Sequence, residues 1–201
     1  FRRVLFRSFL APLEVGEDTF VRCSDTACGY AANTEAVQVQ VPTSVPAADA
    51  PSAHAEDTPN TPTITALVAL MNATPTLRRS DRDWTAADTL KNVVLSLHMP
   101  DGTRETVVIG VPGDREVDLK RVEAQVSPAE VEPLDDAGFA AHPALVKGYI
   151  GPRVLGESSA SGVRYLLDPS VAEGSAWVTG ADAANRHVLH LVHGQIGRAH
   201  V

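Results

Sequence analysis

Two apolar runs dominate the middle of the chain. Thr89-Leu90-Lys91-Asn92-Val93-Val94-Leu95-Ser96-Leu97 is rich in leucine and β-branched residues, and Thr106-Val107-Val108-Ile109-Gly110-Val111 follows it. Between them lies Pro100-Asp101-Gly102, a turn signal. Two such runs joined by a short glycine-containing turn predict a β-hairpin buried on both faces. Lys91 interrupts the first run. A lysine in so apolar a strand is costly to bury without a partner, so it either snorkels to the sheet edge or faces an anion in a cleft.

The flanking pattern predicts further elements. Thr61-Pro62-Thr63 precedes Ile64, Leu67, Val68 and Met71, a capped stretch with helical spacing, which predicts a helix over 63–72. Val117, Leu119 and Val122 predict a short helix ending near Ala124. Ser127-Pro128-Ala129-Glu130 reads as another helix start, with proline in the first turn. Beyond the glycine-rich loop Lys147-Gly148-Tyr149-Ile150-Gly151-Pro152, strands are predicted at Val163–Leu167, Ala176–Thr179 and Arg186–Val192. Near the start, Phe20-Val21-Arg22 is a strand candidate in a piece too short to fold alone. Pro42, Pro46, Pro51, Pro59 and Pro62 recur among Ala, Asp, Thr and Ser, so residues 38–62 read as an extended linker. No internal repeat is visible.

Composition narrows the classes. The chain has 201 residues, 44% of them hydrophobic, as expected of one globular domain or a domain with a fragment attached. No apolar run approaches the roughly 20 residues of a membrane span. With 17 basic against 25 acidic residues, the net charge is −8, which argues against an autonomous nucleic-acid binder. Cys23 and Cys28 are too few for a disulfide framework and have no second pair to complete a structural zinc site. The ends, residues 1–8 and 196–201, resemble translated adapter sequence and are set aside from the fold reasoning. The expected organisation is then a non-native start (1–8), a fragment of a neighbouring catalytic domain (9–37), the linker (38–62), the main domain (63–194) and a non-native tail (195–201).

Several segments together resemble the bacterial-type prolyl-tRNA synthetase family. Gly16-Glu17-Asp18-Thr19 and Tyr30-Ala31-Ala32-Asn33 with Glu35 look like the catalytic-domain stretch before that family's large insertion. Thr61-Pro62, Leu90-Lys91-Asn92-Val93-Val94, Gly113-Asp114-Arg115-Glu116, Gly148 with Gly151-Pro152, Asp168 with Val171, and Gly180-Ala181-Asp182 with His187 look like the insertion itself. The resemblance implies an α+β fold with a mixed, mostly antiparallel, partly barrel-like sheet and packed helices, as in free-standing deacylases. It also implies an editing domain that hydrolyses alanine wrongly esterified to the proline tRNA. The implied partner is the 3′ end of that tRNA carrying alanine, with no membrane, in the cytoplasm, within a homodimeric parent enzyme. It implies no cofactor for editing, whereas the full-length synthetase uses ATP and Mg. Pro112 stands where an arginine is common, Asp182 where an asparagine is common, and Asn92 where a threonine is usual.

The family's functional lysine falls on Lys91, its glycine loop on Gly148, Tyr149, Ile150, Gly151 and Pro152, its acidic residue on Asp168 and its histidine on His187. Lys91 suits an anchor for a phosphate or ribose. The glycines either present N–H groups to a ligand or form a plain turn. Asp168 either orients water or the substrate amine, or caps a turn before Pro169. His187 either contacts the aminoacyl group and limits pocket size, or is structural. Lys147 abuts the loop and is a secondary candidate. His187, His190 and His193 do not share one strand face, which argues against a metal cluster. No Ser-His-Asp or Cys-His arrangement presents itself. The resemblance implies hydrolysis without a protein nucleophile, with water activated by a ribose hydroxyl of the tRNA. The rival readings are a non-catalytic insertion that holds the tRNA end or supports the synthetase, and a free-standing deacylase, against which the Gly16–Glu35 segment argues.

Overall fold

The computed structural model describes residues 19–33, 37 and 51–193, apart from 157, 160, 172 and 173. The adapter-like ends lie outside the described residues, as does the linker up to residue 50. The chain divides into two units, 1–38 and 39–201. In the first, β1 (Phe20–Arg22) pairs antiparallel with β2 (Ala31–Asn33).

The second unit is an α+β domain with two sheets. The predicted hairpin is β4 (Leu90–His98) and β5 (Arg104–Pro112), in register from Leu90 opposite Pro112 to His98 opposite Arg104. Its turn needs a left-handed residue, and Gly102 supplies it at φ +86°. Asp101 Oδ1 accepts from the Thr103 N–H (2.9 Å) and hydroxyl (2.6 Å). Side chains alternate across the pleat, so this hairpin feeds two cores. Leu95, Leu97, Val107, Ile109 and Val111 face helix α2 (Leu119–Val126), which lays Leu119, Val122 and Val126 on them. Val94 and Val108 face the other way, against Leu145, Ile150 and Leu155. Burial of each such side chain is worth about 1.5–3 kcal/mol.

Strands β6 (Glu130–Pro133) and β7 (Arg164–Leu167) complete a four-stranded sheet of order β6-β4-β5-β7, in which β5 and β7 run parallel. The second sheet has order β3-β9-β8, from β3 (His54–Asp57), β8 (Ala176–Gly180) and β9 (Arg186–Val192). Helix α1 (Ile64–Ala73) starts where predicted, with Thr63 Oγ1 accepting the Ala66 N–H at 3.3 Å. It packs Leu67 and Met71 on Val178 and Leu189. The opposite face of that sheet places Trp177 and Leu191 against Leu90 and Val171.

Two expectations are corrected. The Ser127-Pro128 segment starts no helix. Ser127 is extended (ψ 135°), as residues before proline are, and Glu130–Pro133 finds a partner in the edge of β4. The next helix, α3 (Asp136–Ala141), begins later, with Asp135 Oδ1 accepting the Gly138 N–H at 2.7 Å. The linker reading fails at its C-terminal end. His54–Asp57 lies between Pro51 and Pro59 and so has free N–H groups to pair with β9 as an edge strand. Among the described residues the two sheets meet through a parallel bridge, Thr89 with Val178, and do not close into a barrel.

Candidate functional site

The Thr89–Val178 bridge matters because it sets the start of β4 beside the end of β8. A cavity of about 240 Å³ opens at that junction. Lys91 and Asn92 line it from β4, Val178 to Gly180 from β8, and His187 from β9. The remaining wall is the turn into α1, with Ile64 and Leu67, and the glycine loop through Gly148 and Ile150.

Lys91 sits one residue inside β4, opposite Val111. Its side chain is 19% exposed, and Nζ donates to Glu116 Oε1 at 2.7 Å. Glu116 itself is 91% exposed, so the pair forms at the cavity rim with one partner in solvent. Neither open reading of Lys91 is complete alone: the amine reaches outward, yet the residue lines the cavity.

Asn92 joins three elements. Its Nδ2 donates to the Ile150 carbonyl (2.8 Å) and to Thr179 Oγ1 (3.2 Å), while Oδ1 accepts from the Tyr165 hydroxyl at 2.8 Å. Burial pushes the Tyr165 hydroxyl above its ordinary pKa, so it stays a donor. This ties the glycine loop to both sheets.

The loop is seated by glycines. Gly148 adopts φ +84°, and a Cβ there would stand 3.2 Å from Pro62 Cβ. A Cβ on Gly151 would meet the Gly180 carbonyl oxygen at 2.1 Å. The Gly151 N–H donates to Asp182 Oδ1 at 2.6 Å, and the Tyr149 carbonyl accepts from the Asp182 N–H at 2.9 Å. The N–H groups of Gly148 and Ile150 have no protein partner among the described residues.

His187 is 5% exposed, with Nδ1 2.6 Å from Thr58 Oγ1. Its ring packs on Tyr149 with centroids 5.4 Å apart. Burial lowers its pKa to about 4, so the imidazole facing the cavity is neutral near pH 7. Thr58 is itself fully buried, and its N–H donates to the Asn185 carbonyl at 2.7 Å.

Of the residues singled out in the sequence, Lys91, Gly148, Ile150 and His187 share one cavity. Tyr149, Gly151 and Pro152 are not among the lining residues; Tyr149 packs on His187 and Gly151 is held by Asp182. Asp168 is not among the lining residues. Its Oδ1 accepts from the Ser170 N–H at 2.8 Å and from the Ser170 hydroxyl, and its N–H donates to the Gly110 carbonyl, so it closes the turn after β7. Asp168 thus caps a turn, and among the described residues it does not line the cavity that Lys91, Gly148, Ile150 and His187 share. Lys147 pairs with Asp136 at 2.8 Å and lies over the Phe139 ring, directed at α3. His190 belongs to a β-bulge in β9 at φ +60°, its ring against Trp84 and His54. Sequence reasoning missed Thr58 and Thr179. Thr58 lay in a Thr/Pro-rich stretch that read as linker, and Thr179 on a strand where threonine is unremarkable.

The aminoacyl-tRNA editing domain family matches residues 58–193, which is the span that carries both sheets from α1 onward and the whole cavity lining. The chain belongs to that family. It is 62% identical over 187 residues to the proline–tRNA ligase of Kineococcus radiotolerans, covering 93% of this chain and 31% of that protein. It is also 59% identical over 188 residues to the proline–tRNA ligase of Nocardioides sp., and 55% identical over 187 residues to that of Cutibacterium acnes, with the same shares of 93% and 31%. The chain thus spans about a third of the length of these relatives. No helix among the described residues is long and apolar enough to cross a membrane.

Proposed function

We propose that this chain is the editing domain inserted in a proline–tRNA ligase, and that its cavity hydrolyses the ester of alanine wrongly attached to the proline tRNA. The observation that carries the reading is the convergence of Lys91, the Gly148–Ile150 wall and a neutral His187 on one small cavity, in a chain of the editing family. A synthetic pocket shaped for proline rejects the smaller alanine weakly, because missing methylenes are worth only about 1–3 kcal/mol. A second pocket that admits alanine and excludes proline supplies the missing discrimination. The cavity, about 240 Å³, is below the roughly 300–1,000 Å³ of drug-sized sites, which suits a small aminoacyl group at the end of a larger ligand.

In this reading Lys91 releases Glu116 and takes up a phosphate or ribose oxygen of the tRNA end. Its compact charge on a strand fixes that end relative to the cavity. The unpaired N–H groups of Gly148 and Ile150 stabilise the oxygen on which negative charge develops as water adds to the ester carbonyl. His187, neutral and held by Thr58 and Tyr149, forms the wall that sets the size limit. Water adds to the carbonyl carbon, the C–O bond to the ribose breaks, and the products are free alanine and a tRNA with its hydroxyl restored. In this proposal a ribose hydroxyl of the tRNA hydrogen-bonds and orients the attacking water, whose proton passes to the departing ribose oxygen; the cavity lining contains no carboxylate, and burial makes the neutral His187 imidazole a weak base.

The test is single-turnover deacylation of alanyl- and prolyl-tRNA, both on the proline tRNA, with protein in excess. Expected are hydrolysis of the alanyl ester, sparing of the prolyl ester, and slowing by about tenfold or more in Lys91→Ala from lost positioning. Binding of both esters without hydrolysis would refute the reading in favour of a tRNA-holding insertion. Full activity in Lys91→Ala at subsaturating protein would remove Lys91 from the site.

A further inference from the structure

Asp182 lies in the turn between β8 and β9 and holds the glycine loop from behind. It adopts φ +59°, a left-handed conformation that Asp and Asn tolerate better than most residues. Its N–H takes the Tyr149 carbonyl and its Oδ1 takes the Gly151 N–H, so the two bonds bracket Ile150. The backbones can approach this closely only because both neighbours are glycine. A Cβ on Gly151 would stand 2.1 Å from the Gly180 carbonyl oxygen, and one on Gly180 would stand 2.3 Å from the Tyr149 carbonyl. The second carboxylate oxygen, Oδ2, is buried and meets no hydrogen-bond donor among the described residues. Burial raises the carboxyl pKa, and the Gly151 N–H and the positive charge of Arg153 oppose the rise. Asp182 itself is not part of the cavity wall.

We propose that Asp182 is the positioning residue of the Gly148–Pro152 loop. By fixing Tyr149 and Gly151, it keeps the unpaired N–H groups of Gly148 and Ile150 at the cavity wall, where charge develops on the ester oxygen. The need is for an acceptor at Oδ1 and a residue that tolerates a left-handed turn; the negative charge is dispensable. Asparagine meets both needs, and its Nδ2 takes the place of the unbonded Oδ2. The proposal rests on the hydrolysis reading above for its effect on rate, and on geometry alone for its effect on the loop.

Asp182→Asn and Asp182→Ala, made in the full chain, separate the possibilities. Two quantities are read: hydrogen exchange of the Gly151 amide, and single-turnover hydrolysis of alanyl-tRNA across protein concentrations. Asp182→Asn should keep the Gly151 amide protected and the rate within about threefold. Asp182→Ala should expose the amide and lower the maximal rate by about tenfold or more, with half-saturation nearly unchanged, the pattern of lost transition-state stabilisation. Asp182→Ser, whose hydroxyl falls short of Gly151, serves if the alanine variant does not fold. A folded asparagine variant as slow as the alanine one overturns the proposal, as does an alanine variant that frees the amide at full rate. A wild-type chain that leaves alanyl-tRNA intact overturns both readings, whereas an active wild type indifferent to Asp182→Ala overturns only this one.

Discussion

Asn92→Ala perturbs the junction between the glycine loop and the sheets, and its cost follows from three hydrogen bonds. The substitution removes the donor to the Ile150 carbonyl, the donor to Thr179 Oγ1 and the acceptor for the Tyr165 hydroxyl. Ile150 and Thr179 are buried, at 7% and 2% exposure, so water replaces these partners poorly. Leaving a buried polar group unpaired costs about 1–3 kcal/mol, and the Thr179 bond at 3.2 Å is the weakest of the three, so the total should be about 3 kcal/mol. Tyr165→Phe alone strands only Asn92 Oδ1 and should cost about 1 kcal/mol. In the Asn92→Ala background the tyrosine hydroxyl is already unpaired, and its removal should be neutral or slightly stabilising. The two changes should therefore couple by about 1 kcal/mol. Urea denaturation of the four proteins measures this through the midpoints, provided the slope is unchanged. Equal costs of Tyr165→Phe in both backgrounds, or a cost of Asn92→Ala under about 0.5 kcal/mol, would refute the network.

Gly180→Ala would drive a Cβ into the Tyr149 backbone at 2.3 Å, so the loop must shift; deacylation should fall by about tenfold or more, and a crystal structure of the variant should show the loop displaced. His187 is neutral in the folded state down to about pH 4, whereas in the unfolded chain it takes up a proton near its ordinary 6.5. Its folded pKa is the lower one, so its contribution is fully present above pH 6.5 and is lost as pH falls towards 4. Wild type should lose up to about 3 kcal/mol more than His187→Asn over that window, read from denaturation midpoints against pH; parallel pH profiles would count against the buried neutral imidazole.

The sequence by itself determined the local elements whose pattern is self-contained. The hairpin from Leu90 to Pro112 was legible because its apolar runs are continuous and its turn carries Asp101 and Gly102. Helix α1 was legible from Thr63 and the Ile64, Leu67, Val68, Met71 stripe. The late strands were legible to within a residue. Lys91 stood out because charge in an apolar strand is costly, and the resemblance added the glycine loop and His187.

Tertiary structure decided what depends on partners far along the chain. His54–Asp57 becomes a strand only because β9 offers an unpaired edge; by composition it read as linker. Glu130–Pro133 becomes a strand for the same reason, against the helix-start chemistry of Ser127 and Pro128. Asp168 could serve a site or a turn on local grounds, and its place at the end of β7, outside the cavity lining, follows only from how β7 joins β5. Asp182 and Asn92 registered in the sequence as mere departures from a family pattern. Their geometry, a clamp on Gly151 and a tie from Ile150 to Tyr165, arises where the two sheets meet at the Thr89–Val178 bridge. Hydrogen bonds between residues 31 to 87 positions apart leave no periodicity for a sequence reading to find.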